Sequence, residues 1–142
     1  MSKHFSVRHL KVPDDLFRQI ELLTEADPNK LSMHHWHERA DGREAVLPMD
    51  VLAPSCKHCL FGWVTRLVPG AIEWAWEMHP DVDVVELGNA LLVASGRYPI
   101  PPALAFSDEK SAMKVIRGRA AEEREMAEAD AEDEYECERA TA

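Results

Sequence analysis

The sequence predicts a mainly α protein, a compact single-domain bundle of five or six short helices. Its 142 residues match the most common domain size, and 46% of them are hydrophobic, which is ordinary for a globular protein. Apolar residues recur at helical spacing in several segments, and prolines and glycines separate those segments. Together these observations favour one helical core.

The first third of the chain predicts one clear helix and two weaker elements. Pro13 followed by two aspartates is typical of a helix start, and an apolar stripe at helical spacing follows it. Residues 29–38, which carry Met33 and Trp36, are predicted to form a helical turn. Residues 40–54 contain a glycine and two prolines and are predicted to form a loop.

The middle of the chain predicts a second helix and one ambiguous segment. Ser55 is the expected N-cap of a helix that Pro69-Gly70 ends. Residues 71–85 alternate in polarity like a strand, yet Ile72 and Trp76 also fall four residues apart on one helical face. Helix is favoured for this segment because its neighbours are helical. A small β-hairpin near 71–85 is the alternative.

Two more helices are predicted towards the C-terminus, and the apolar stripes together define a core. One helix begins after Asp81 or Asp83, and the last one begins after Ser107. The expected core consists of the inward-facing stripe residues Leu16, Phe17, Ile20, Leu23, Met33, Trp36, Cys59, Leu60, Trp63, Val64, Leu67, Leu87, Leu91, Val115 and Ile116.

Charge divides the chain into a nearly neutral body and an acidic end. Ten acidic residues and three arginines give residues 119–142 a charge of −7, out of −10 for the whole chain. We therefore expect a flexible N-terminus at 1–9, a helical domain at 10–118 and an acidic helical or disordered tail at 119–142. Direct nucleic-acid binding is not expected, because it depends on clustered Lys and Arg.

The sequence predicts a cytoplasmic protein that does not interact with membranes. No apolar run approaches the length of about 18–20 residues that spans a bilayer, and the N-terminus lacks the apolar region of a signal peptide. Three cysteines form no disulfide framework of the kind that secreted domains use.

One cluster of residue types suggests zinc. Cys56 and Cys59 form a Cys-x-x-Cys pair that encloses His58, and His37 belongs to a nearby histidine-rich stretch. Two thiolates and two imidazoles are a common tetrahedral ligand set for zinc, so these four residues are the predicted metal ligands. The same pair could serve in thioredoxin-like redox chemistry, but the strand that should precede such a motif is not predicted.

Packing is the favoured alternative to metal for these cysteines, and no bound cofactor is expected. Cys59 lies one turn before Trp63 and is expected to face the core, whereas Cys56 is expected to be a partly exposed thiol at a helix start. A serine at position 59 should then destabilise the fold by about 1–3 kcal/mol through a poorly satisfied hydroxyl. A serine at position 56 should have almost no effect.

Four tryptophans are many for a chain of this length. Trp36 and Trp63 fall on apolar stripes and are assigned to the core. Trp74 and Trp76 cannot both face inward on a helix, because residues two apart diverge by about 200°. They are the predicted partner-binding residues, since tryptophan is enriched at binding hot spots.

The order of several motifs resembles a group of uncharacterised small proteins from bacteria, phages and plasmids. The resemblance is carried by Leu31-x-Met33-x-x-Trp36, Cys59-x-x-Gly62-Trp63 and the later Ala112-x-x-Val115-Ile116, and it spans about residues 14–118. It implies a helical fold and an origin in a phage or another mobile element. It implies no activity.

The sequence favours a non-enzymatic interaction or regulatory protein whose partner is another protein. No nucleophile elbow, phosphate-binding loop or dinucleotide fingerprint is present. A small zinc module that uses Cys56, Cys59 and nearby histidines is one alternative. An acidic mimic of nucleic acid, acting as an anti-defence inhibitor through the 119–142 tail, is the other.

Overall fold

The computed structural model describes residues 5–141, and the side chains of residues 5–132. The described chain is mainly helical, which confirms the predicted fold class. Its elements are α1 (Leu16–Ala26), a 3-10 turn (Pro28–Lys30), β1 (His37–Glu38), α2 (Pro48–Val51), β2 (Lys57–His58), α3 (Leu60–Leu67), α4 (Ala71–Met78), α5 (Val84–Ala94), a 3-10 turn (Pro102–Phe106) and α6 (Glu109–Thr141). Within this part of the chain, no helix combines the length and the apolarity that crossing a bilayer requires.

The longest helix, α6, packs along α1. Its buried stripe of Ala112, Ile116 and Ala120 keeps helical spacing and joins the main core. One turn further on, the buried Glu123 accepts hydrogen bonds from the backbone N–H groups of Phe17 and Arg18, both at 2.9 Å. These donors lie in the first turn of α1, where no carbonyl within the helix can satisfy them. A side chain of α6 thus caps α1.

The main core is built around α3, and most of the predicted core residues belong to it. One residue of the prediction is wrong, because Leu23 is 37% exposed. The inward face of the last turn of α1 passes through Thr24 instead, which lies four residues after Ile20. Thr24 is buried, and its hydroxyl donates to the carbonyl of Ile20 at 2.8 Å.

A second cluster of buried residues joins the N-terminal segment to α4 and α5. Val7 is buried there together with Ala71 and Leu91. Phe5 packs beside it, with its ring 6.0 Å from the ring of Trp74. Residues from the start of the described chain therefore contribute to the same body as the helices.

The segment between α1 and α3 departs most from the prediction. Between α1 and β1 only Pro28–Lys30 is helical, and the chain then becomes extended and forms β1, so the helical turn expected over 29–38 is wrong. The main-chain groups explain the extended form: Ser32 N–H donates to the carbonyl of His58, and Cys59 N–H donates to that of Trp36. These bonds tie the segment to β2. The loop expected over 40–54 contains the short helix α2.

The helix predicted after Ser55 starts later than expected. Cys59 is its N-cap, and α3 begins at Leu60, because β2 occupies the residues in between. The following segment, Ala71–Met78, is helical as favoured, and the small sheet pairs β1 with β2 instead. Within this sheet His37 lies opposite His58 in an antiparallel register.

Candidate functional site

The sheet register brings two of the predicted metal ligands into direct contact. The Nδ1 atoms of His37 and His58 lie 2.8 Å apart, and both side chains are buried. Two neutral imidazoles form such a bond when one ring donates its N–H and the other accepts it. His58 also meets the ring of Trp63 edge-on at 4.6 Å between centroids. These contacts hold both rings in place.

Both imidazoles are neutral at neutral pH. Burial lowers the pKa of His37 to about 4, and the nearby Arg66 adds to this effect. Burial also lowers the pKa of His58 to about 2, with further contributions from His37 and Arg66. A neutral pair fits the short contact, because two imidazolium rings would repel one another and neither could accept a hydrogen bond.

Gly62, in the first turn of α3, makes this arrangement possible. A Cβ atom at this position would overlap the backbone carbonyl oxygen of Trp36 and would stand 3.2 Å from Nδ1 of His37. Glycine is required here by space, since α3 and the chain entering β1 approach each other backbone to backbone. Gly62 was predicted only as part of a motif, without this role.

Cys59 has a structural role at the same place. Its Sγ accepts the N–H of Gly62 at 3.3 Å and so caps α3. The side chain is buried, and this burial raises the pKa of its thiol to about 11. The thiol form therefore prevails at neutral pH, which does not suit a nucleophilic or redox cysteine.

Cys56 differs from the prediction, because it is buried and only 2% exposed. It packs with Ala45 and Val51 in a small third cluster of buried residues. The loop before β2 directs the Cys56 side chain into this cluster. Its Sγ lies 3.4 Å from the carbonyl of Lys57, and burial raises the pKa of its thiol. The expectation that Cys56 would be a partly exposed thiol is thus wrong.

The structure brings the two predicted histidine ligands together without completing a metal centre. Across the described residues, no three His, Cys, Asp or Glu side chains gather as a group that could hold a metal ion. His37 and His58 are instead hydrogen-bonded to one another, and Cys59 bonds to the backbone of α3. Zinc binding stays a prediction.

The four tryptophans occupy different environments. Trp63 is buried, and its indole N–H donates to the carbonyl of Lys30 at 3.1 Å. Trp74 is half-buried among aromatic rings of the N-terminal segment. Trp36 is half-buried, and its ring lies 6.5 Å from that of Phe106. Trp76 is 44% exposed, which makes it the more accessible of the two predicted partner-binding residues.

Trp76 borders an apolar groove of about 180 Å³ between α2 and α4. We call it the α2–α4 groove. It is lined by residues before and in α2, by one face of α4 and the segment after it, by the start of α5, by one residue of α3 and by two residues at β1; the lining includes Val46, Pro48, Ile72, Ala75, Trp76, Trp36 and His37.

Large apolar side chains are exposed along this part of the surface. Val46 is 59% exposed and Met49 is 77% exposed, and Leu47 between them is also exposed. The sequence did not identify these residues, because they lie in a segment without apolar periodicity that was predicted to be a loop. The only available signal was their proximity to one another: four large apolar side chains within residues 46–51.

A larger hollow of about 570 Å³ lies between α1, α6 and the segment after α5. Its polar groups are engaged internally. Arg97 donates to the carbonyl of Pro13 and to the carboxylate of Glu123, at 3.0 and 2.9 Å. Arg119 donates to the carbonyl of Pro99 at 3.1 Å. These bonds join the segment after α5 to α6 and to the residue Pro13 before α1, so this hollow is best understood as part of the scaffold.

Comparisons with known proteins found no match: no family model, no curated protein and no solved structure is similar to this chain. The resemblance to small phage and plasmid proteins stays a prediction. Function must therefore be inferred from the geometry of the described residues.

Proposed function

We propose that this protein works by binding another protein through the α2–α4 groove. The observation that carries the proposal is the gathering of exposed apolar side chains on both sides of one groove, with Trp76 on one side and Val46 on the other. Single exposed apolar residues are ordinary on protein surfaces. A contiguous set around a groove is typical of a surface that a partner covers.

The size of the groove favours a protein side chain over a small molecule. Pockets for drug-sized ligands usually measure about 300–1,000 Å³. A cavity of about 150 Å³ holds one benzene molecule. The groove, at about 180 Å³, therefore suits one bulky apolar side chain that a partner inserts as an anchor.

The groove is supported by the buried residues beneath it. His37 lines the groove and is held by its hydrogen bond to His58. Trp36 lines it as well, and its carbonyl accepts the N–H of Cys59. Since these residues are fixed by the core, a partner would not have to order them on binding, which favours affinity.

Two further proposals, a zinc module and a mimic of nucleic acid, can each be tested separately. A small zinc module would contain stoichiometric zinc when the protein is purified without chelator, and its cysteine thiols would release their protons to solvent when the ion binds. An acidic mimic of nucleic acid would bind the basic groove of a nucleic-acid-binding protein through α6, and removal of residues 125–142, which spares Glu123 and its contacts with α1, would abolish that binding. A cytoplasmic location suits both, as it suits the free thiols of Cys56 and Cys59.

Selection from a random peptide library displayed on phage tests the groove directly. We expect the immobilised full-length protein to enrich peptides that contain a bulky apolar residue. Trp76→Ala should weaken the binding of these peptides at least about tenfold, because it removes an aromatic contact at the groove. Tyr98→Ala is the matched control, since Tyr98 is 83% exposed and does not line the groove.

The outcome separates the groove from the rest of the surface. Enriched peptides that bind the wild type and Tyr98→Ala equally, and Trp76→Ala weakly, support the proposal. Circular dichroism should show the same helix content for all three proteins. An absence of enrichment over the empty support, or equal binding to all three proteins, contradicts it.

A further inference from the structure

We infer that the partner segment which occupies the α2–α4 groove is basic, with one bulky apolar residue flanked by lysine or arginine. This inference rests on the proposed function and names the chemistry of the partner. Its evidence is the distribution of charge around the groove.

The two helices that flank the groove, α2 and α4, carry acidic residues alone among their charged side chains. Glu44 lines the groove, and no lysine or arginine does so among the described residues. On one side α2 contributes Asp50, and on the other α4 contributes Glu73 and Glu77. Neither helix contains a basic residue. A partner that enters the groove therefore meets negative charge from both sides.

These four carboxylates are not engaged in ion pairs with the described side chains. By contrast, acidic residues of α1 are paired: Glu21 with Arg124 at 2.8 Å, and Glu25 with Arg117 at 3.4 Å. Glu123 is paired with Arg97 as well. The described structure thus neutralises several acids between α1 and α6, whereas it pairs none of the four acids beside the groove with a basic side chain.

The placement of the acids relative to the apolar residues defines what they could recognise. Glu73 lies one helical turn before Trp76, and Glu77 follows it directly, so charge and anchor site adjoin on α4. Glu44 lies two residues before Val46 on the opposite side. An apolar side chain in the groove would bring its neighbours close to these carboxylates, well within the Debye length of about 8 Å at physiological salt.

Electrostatic complementarity of this kind sets partner choice and association rate more than affinity. An acidic segment with the same apolar anchor would be repelled by the groove and by a chain of net charge −10. A basic segment would be attracted. The groove is therefore expected to discriminate between partners by the charge on either side of the anchor.

The peptides selected on the full-length wild type provide the probe. We expect them to carry an excess of lysine and arginine beside the apolar residue, and to bind less tightly at 500 mM than at 50 mM sodium chloride, on the order of tenfold. Glu73→Lys/Glu77→Lys should weaken binding about tenfold through lost attraction and new repulsion. Glu73→Gln/Glu77→Gln should weaken it less and avoids placing a cation at the start of α4.

A charge-matched control keeps net charge separate from local charge. Glu128→Lys/Glu132→Lys makes the same change at the same spacing on exposed positions of α6. It should leave peptide binding within about twofold. Equal losses from the α4 and α6 variants would show that only net charge matters and would overturn the inference.

The inference and the proposed function fail differently. Peptides that require Trp76 but are neutral or acidic, and insensitive to salt, would overturn the basic partner while the groove stands as a binding site. Peptides that ignore Trp76 would overturn both. Basic peptides that require Trp76 and respond to Glu73→Lys/Glu77→Lys support both.

Discussion

Two neighbouring regions of the molecule use their residues in opposite ways. The histidine corner, formed by His37, His58, Cys59 and Gly62, holds the residue types that usually carry chemistry, and all of them are buried and bonded to one another or to backbone. The α2–α4 groove is lined largely by residues without reactive groups, and several of these are exposed. His37 belongs to both regions.

The difference shows that the chemical type of a residue does not indicate its role in this fold. In the histidine corner, two imidazoles bond to each other and a thiol caps α3, at the point where two short strands meet the start of that helix. In the α2–α4 groove, by contrast, several large apolar side chains are exposed to solvent. Reactive groups thus build the scaffold, and in our proposal the exposed apolar groups are the ones that bind a partner.

The largest effect is expected from Gly62→Ala. The new methyl group would overlap the rigid carbonyl of Trp36, so we expect a loss of at least about 4 kcal/mol in the free energy of unfolding, or a protein that does not fold. Chemical denaturation measures it. Gly118→Ala is the control: nothing lies within 4 Å of its Cβ, and alanine should stabilise α6 by about 0.5–1 kcal/mol. Similar stabilities for the two variants would contradict a close-packed corner.

Acid should destabilise the protein through the same corner. The pKa of His37 falls from 6.5 to about 4 on folding and that of His58 to about 2, so the unfolded chain binds more protons below pH 6.5. Stability is therefore complete well above pH 6.5 and falls as the pH is lowered through it, towards 4 for His37 and towards 2 for His58. We expect a loss of about 4 kcal/mol between pH 7.5 and pH 5, about 2 kcal/mol from each histidine.

Proton NMR of the imidazole rings checks this prediction residue by residue. The signals of His37 and His58 should not titrate above pH 5 in the folded protein. Ordinary titration midpoints near 6.5 for His37 and His58 would show that the corner is open to water.

A smaller effect is expected at Cys59. Its Sγ caps α3, so Cys59→Ala should reduce stability by about 1–2 kcal/mol through loss of the cap and of buried volume. Cys59→Ser should cost less, since a serine oxygen accepts the same N–H and is a favoured N-cap. This reverses the expectation from sequence of a poorly satisfied hydroxyl. Thermal denaturation shows which of the two variants is the more stable. A serine variant less stable than the alanine variant would contradict the capping role.

The sequence predicted those parts of the fold that depend on local periodicity. The stripes of α1, α3 and α5 follow the helical repeat, and Asp83 caps α5 as expected, accepting from Glu86 N–H at 2.8 Å. The β1–β2 pairing was missed because a spacing of three between Met33 and Trp36 also suits a helix. The strand is distinguished from the helix by the pairing of β1 with a segment 20 residues later. No local sequence pattern shows this pairing.

Long-range contacts also explain the other omissions. Glu123 was assigned to an acidic tail, yet it caps a helix 106 residues earlier in the chain. The groove forms where α2 packs against α4, so a role for Val46 and Met49 cannot be recognised until that contact is known. The candidate site could be predicted as a list of residues, with Trp76 among them, but its shape could not.

The four tryptophans allow one direct measurement of the binding surface. Their indole N–H signals can be followed by NMR in the isotope-labelled full-length protein while a peptide selected by phage display is added. Trp36 and Trp76 line the α2–α4 groove, whereas Trp63 and Trp74 do not. We predict that the signals of Trp36 and Trp76 shift in proportion to bound peptide and that those of Trp63 and Trp74 stay in place. A shift of Trp74 without Trp76, or binding that moves none of the four, would contradict the groove as the protein-binding surface.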